Sequence, residues 1–129
     1  VFQAWPGEPS QPADVAIGPD GYIFVTYGSP NRLIRLRADG TRDRAWPLPA
    51  ANTLDSPHLA VDDLGNFYVT DPEAGRVVKL GADGDVVGAW NVSELIGSPV
   101  KAVGIAVGPD GRIWVTDSDG GRLVAITPG

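Results

Sequence analysis

Short apolar runs alternate with clusters of Gly, Pro and Asp along the whole chain. No stretch holds a helical period over a convincing length, and "NVSELIG" (91–97) allows at most one helical turn. The runs repeat. "VAIGPDGYIFVT" (15–26), "LAVDDLGNFYVT" (59–70) and "IAVGPDGRIWVT" (105–116) align without gaps. "RLIRLRADG" (32–40), "RVVKLGADG" (76–84) and "RLVAITPG" (122–129) follow at matching offsets, and "AW" pairs end at Trp46 and Trp90. Each unit reads as four strands. The first is "VAIG" or its counterpart. "GPDG" (18–21, 108–111) or "DDLG" (62–65) then turns the chain, with Pro suited to the second turn position and Gly closing it at positive φ. The second strand is "YIFVT", "FYVTD" or "IWVTD". It alternates weakly, as a strand covered on both faces does. The third starts at Arg32, Arg76 or Arg122, and an "ADG" turn leads to a polar fourth strand suited to an outer edge.

Four strands repeating at roughly 45 residues describe a propeller blade. The fold class is therefore all-β, a β-propeller with three four-stranded blades in a single domain, 1–129. Blade one spans about 14–46, blade two about 58–90 and blade three about 103–129, with residues 1–5 as a strand that completes a last blade.

The run from Asp71 through Gly84, "DPEAGRVVKLGADG", following an apolar strand that ends "YVTD", resembles the NHL repeat. The resemblance covers essentially the whole chain in three copies. Copy one departs from it, with Tyr27 standing where the others have Asp71 and Asp117. The relatives it implies include six-bladed lyases, lactonases and gluconolactonase-like proteins. It also implies that ligands sit on the face built by the connections 6–14, 47–57 and 91–103 together with 27–31, 71–75 and 117–121.

Three blades do not close a ring, since propellers have about four to eight. The third unit stops at "TPG", whereas "VFQAW" (1–5) carries the tail that closes the other units. The expectation is a two-fold homodimer of six blades. In it Val1, Phe2, Gln3, Ala4 and Trp5 pair beside Arg122, Leu123, Val124, Ala125 and Ile126 of a second copy, covering a bare edge. Blade faces bearing Ile23, Val25, Val69, Trp114 and Val115 are an aggregation hazard if left open.

Composition narrows the classes further. The chain has 129 residues, 43% hydrophobic and 20% charged, which is ordinary globular make-up. No apolar run approaches the roughly 18 residues of a membrane span, so a soluble protein of unassigned compartment is expected. No basic-then-apolar leader is visible, residue 1 is Val and Met is absent, so the chain reads as a processed, trimmed or engineered piece. Without Cys there are no disulfides and no thiolate-held zinc. Net charge is -6, and the 10 Lys and Arg read as scattered, so nucleic acid is not an expected partner.

Candidate chemistry is sparse. His58 is the sole histidine, and a two-fold dimer would present two across the channel, but zinc usually takes three or four protein ligands. Asp71 and Asp117 are candidate calcium ligands. Each also lies five residues before an Arg, Arg76 or Arg122, and a feature recurring once per blade points to scaffold. "DSDGG" (117–121) lacks the spacing and terminal Glu of an EF-hand. Asp14, His58 and Gly104 are equivalent positions near the propeller axis. Trp5, Trp46 and Trp90 read as packing between blades. No catalytic set and no cofactor is assigned. The expected role is a self-assembling binding or scaffold module, taking a small molecule or peptide on the connection face. The alternative is half of a metal-dependent lyase or lactonase with calcium or zinc in the channel.

Overall fold

A computed structural model describes residues 11–28, 32–48, 57–72 and 74–128. The expected strands at 1–5 lie outside the described residues. Sheet one holds β1 (Gln11–Ile17), β2 (Ile23–Gly28), β3 (Arg32–Leu36) and β4 (Arg42–Pro47), neighbours in that order. Sheet two holds β5 (Leu59–Val61), β6 (Phe67–Asp71), β7 (Arg76–Leu80) and β8 (Val86–Asn91) in the same order. Sheet three has β9 (Ala102–Val107), β10 (Ile113–Asp117) and β11 (Arg122–Ile126), so among the described residues β11 is an edge. Every strand pair is antiparallel.

Each expected turn forms. The amides of Gly18, Asp62 and Gly108 donate across their turns to Tyr22, Asn66 and Arg112. The closing Gly21, Gly65 and Gly111 take φ of 87, 84 and 84°, the region a side chain disfavours. The expected helical turn, α1 (Val92–Ile96), is capped at both ends. The Asn91 side chain accepts from the Glu94 N–H at 3.0 Å, and Gly97 closes it at φ 83°. Val92 is its buried anchor.

The sheets stack face to face through two apolar clusters. Phe24 and Leu33 of the first sheet meet Leu59, Phe67, Val69, Val78 and Leu80 of the second. Tyr68 and Val77 of the second meet Ala102, Ile113, Val115 and Ile126 of the third. Strand alternation sorts the residues. In the middle sheet Phe67 and Val69 point to the preceding blade and Tyr68 and Thr70 to the following one, so all of β6 is buried. The weak alternation read for every second strand holds there alone. Burial alternates along β2 and β10, because each of those sheets has one uncovered face. Val69 and Val115, expected on open faces, are buried between sheets, whereas Ile23, Val25 and Trp114 do lie on the outer ones. Trp46 crosses to the second blade, its ring centroid 6.0 Å from that of Phe67, and Trp90 stacks on Tyr68 at 6.5 Å.

Candidate functional site

The loop ends between second and third strands carry the candidate carboxylates. Asp71 ends β6 and Asp117 ends β10, both almost fully buried. Arg76 Nε donates to Asp71 Oδ2 at 3.0 Å. Arg122 donates to Asp117 Oδ2 through Nε at 3.1 Å and a terminal nitrogen at 2.9 Å. Asp117 Oδ1 accepts from the backbone N–H groups of Lys101 and Gly120, each at 3.0 Å. Those amides foremost, and Arg122 after them, hold the Asp117 carboxyl below the usual carboxylate range against the desolvation that opposes it. In blade one the pair survives in another form. Tyr27 replaces the Asp, and the Arg32 guanidinium lies over its ring, 5.6 Å from the centroid. In the sequence Tyr27 stands out only as a departure from the repeat.

These anchors organise the described part of the connection face. The Gly75 carbonyl accepts from the amides of Val92 and Ser93 at 2.8 and 3.2 Å. Ser93 Oγ accepts from the Val100 N–H at 2.9 Å, and Arg122 reaches Ser98 Oγ at 3.2 Å. Residues 91–103 are therefore held to both neighbouring turns.

Of the equivalent positions Asp14, His58 and Gly104, the first lies within β1, the second just before β5 and the third within β9, and they do not act alike. Asp14 Oδ2 accepts from the Leu59 N–H of the next blade at 3.0 Å. His58 is half-buried, and its Nδ1 is buried without a hydrogen-bond partner among the described residues, as is Asp71 Oδ1. Gly104 has no side chain to offer. Among the described residues no three His, Asp or Glu groups converge, and both Asp117 oxygens are already occupied by donors. His58, Asp71 and Asp117 thus do not form a metal cradle by themselves.

A contact the sequence reading missed links blades at this level. Thr26 Oγ1 donates to the Pro57 carbonyl at 2.7 Å, and Thr70 Oγ1 donates to the Val103 carbonyl at 3.1 Å. The threonines sit at the same position of each unit, where their recurrence was the available signal.

Two clefts among the described residues lie at the opposite, hairpin-turn end. One, of about 240 Å³, is lined by Asp20, Gly21, Tyr22, Arg37 and Ala38. Another, of about 210 Å³, lies between blades two and three around Val61, Asp62 and Gly108. Beside it Asp62 accepts from Asn66 and from the Tyr68 hydroxyl at 3.0 Å. Burial, then the bond to Asp62, pushes the Tyr68 phenol up to about 12. The basic residues are also less scattered than they read. Arg35 and Arg37 converge on Asp43, and Arg44 lies over Trp46 at 4.9 Å, gathering charge on the outer edge of blade one.

Comparison with known proteins agrees with this architecture. The NHL repeat pattern matches residues 101–126. Teneurin-m of Drosophila melanogaster is 33% identical over 70 residues, which is 54% of this chain and 2% of teneurin-m. A streptogramin B lyase structure superposes with a TM-score of 0.77 at 24% identity, over 92% of this chain and 38% of the lyase. A catalytically inactive virginiamycin B lyase from Staphylococcus aureus with quinupristin gives 0.71 at 21% identity, over 96% of this chain and 44% of that one. Regucalcin from Agrobacterium tumefaciens, a calcium-binding protein, gives 0.65 at 19% identity, over 90% and 45%. The chain spans less than half of each of these structures. Three stacked antiparallel sheets share the β-propeller fold of these structures, and the third of them carries an NHL repeat at residues 101–126.

Proposed function

We propose that the chain is a self-associating propeller segment that acts as a binding scaffold, with recognition on the connection face. The observation that carries this reading is the pair of uncovered blade faces. Val15 and Ile17 on blade one are 62% and 71% exposed, and Leu123 on blade three is 64% exposed. Large apolar side chains grouped on a sheet face mark an interaction surface. The rigidly tied 91–103 connection supports the recognition half, since function commonly sits on loops held by a rigid frame.

In this reading two copies close a six-bladed ring. Residues 1–5 share the Ala-Trp pair of the fourth strands, and the second copy's segment pairs along β11. Light scattering should give about twice the 13.5 kDa chain mass. A monomer up to the solubility limit contradicts self-association. Deleting residues 1–5 should weaken the dimer sharply, and an unchanged dimer contradicts the strand pairing.

A second reading, part of a metal-dependent lyase or lactonase, draws on the unpartnered His58 Nδ1 and Asp71 Oδ1. It needs further ligands from outside the described residues. Stoichiometric calcium or zinc in elemental analysis, with a melting temperature lowered by chelator, would favour it.

A further inference from the structure

The seams between blades carry a recurring contact that is half made at the open face of blade three. At the two internal seams a threonine hydroxyl of one blade donates to a carbonyl at the start of the next blade, Thr26 to Pro57 just before β5 and Thr70 to Val103 near the beginning of β9. Both threonines are fully buried. Thr116 holds the same position in blade three and is exposed. It already accepts from the Gly104 N–H at 2.8 Å, as Thr70 accepts from the His58 N–H at 3.0 Å. Its own hydrogen has no acceptor among the described residues. The carbonyl position matching Pro57 and Val103 in blade one is Ala13, which the register shift between Pro12 and Asp14 leaves out of the ladder with β2.

We infer that the Thr116 hydroxyl donates to the Ala13 carbonyl of a second copy, seating blade three of one chain on blade one of the other. This rests on the self-association reading above and gives it a direction. The faces match position by position. Leu33 and Val77 are buried beneath the following blade, and Leu123 is their exposed counterpart. Leu59 is buried against the preceding blade, and Val15 is its exposed counterpart. The internal seams are therefore the template for the seam between copies, with a two-fold dimer containing that seam twice. One contact is missing from it. Asp14 bridges blades one and two, but Gly104 stands at that position in blade three, so Thr116 is the polar group that fixes register there.

Complementation tests the direction. Ile17→Asp spoils the blade-one face and Leu123→Asp the blade-three face, both at exposed positions. Each variant alone should be monomeric by light scattering, and an equal mixture should form a heterodimer through its one intact seam. A homodimer of either variant, or a mixture that stays monomeric, overturns the seam while leaving self-association standing. A monomeric wild type removes both. Thr116→Val should raise the dimer Kd about tenfold, one net hydrogen bond lost at each of two seams. Thr116→Ser should restore it. A rise of less than about threefold, or a serine variant as weak as the valine one, overturns the hydroxyl's role.

Discussion

Val77 and Leu123 occupy the same place in blades two and three, on the face that looks toward the next blade. One is fully buried and the other 64% exposed. Thr70 and Thr116 differ in the same way, as do Leu59 and Val15 on the opposite faces of blades two and one. Residue type does not explain the contrast, because the repeat writes much the same code into every blade. Neighbours explain it. The middle blade has one on each side, and the blades flanking it each have one. Burial here belongs to the stack, so the same side chain is core in one copy and interaction surface in another.

Mutations at matched positions sharpen that contrast, beginning with the largest effect. Phe67 is buried with its ring 4.4 Å from that of Phe24 and 6.0 Å from that of Trp46. Phe67→Ala should lower unfolding free energy by about 3–5 kcal/mol in denaturant titration. Leu33→Ala should cost about 2–5 kcal/mol. Leu123→Ala, made in the monomeric Ile17→Asp background, should change stability by less than about 0.5 kcal/mol. Comparable losses at Leu33 and Leu123 in that background would break the contrast.

The glycines after the second strands give a smaller, cleaner comparison. Gly75 and Gly121 both adopt positive φ, 63 and 61°. A Cβ at Gly75 would also meet Ser93 Oγ and lie 2.6 Å from the Val100 carbonyl, whereas at Gly121 nothing is within 4 Å. Gly121→Ala should cost about 1–2 kcal/mol from backbone strain alone. Gly75→Ala should cost more and loosen the 91–103 connection, visible as faster amide exchange in α1. Equal costs would mean that the connection is not held as described.

The pH response should be the smallest effect. Asp117 and Asp62 have carboxyls lowered from the ordinary 3.8. Their contribution is present above that value and is lost as pH falls through the lower folded-state value. At Asp62 burial works against the shift, and the Asn66 and Tyr68 bonds outweigh it. Asp117→Asn should flatten the acid limb of a stability profile. Tyr68 is raised from 10.0 to about 12, so its contribution is present below pH 10 and fades toward 12. Tyr68→Phe should remove that alkaline loss.

Much of the fold was legible because the repeat compares the sequence with itself. Three gapless copies give strands, turns and equivalent positions at once, and the Asp–Arg spacing anticipated the anchors at Asp71 and Asp117. What depends on neighbours was not legible. Val69 and Val115 read as open-face residues because nothing in a strand says which side another sheet will cover. Tyr27 read as a lost Asp, since the pattern records residue type and not that an aromatic face also holds a guanidinium. The threonine contacts escaped because a Thr inside an apolar strand looks like ordinary β-propensity. His58 was legible as singular, but the structure gathers no ligand set around it among the described residues.

Hydroxyl-radical footprinting with residue-level mass readout tests most directly whether the bare faces are seams. Leu33, fully buried, and Leu64, 84% exposed, are built-in standards for closed and open. In the assembled wild type Ile17 and Leu123 should be modified as slowly as Leu33, and as fast as Leu64 once Leu123→Asp or Ile17→Asp breaks the contact. Rates at Ile17 and Leu123 that match Leu64 in the wild type would contradict this.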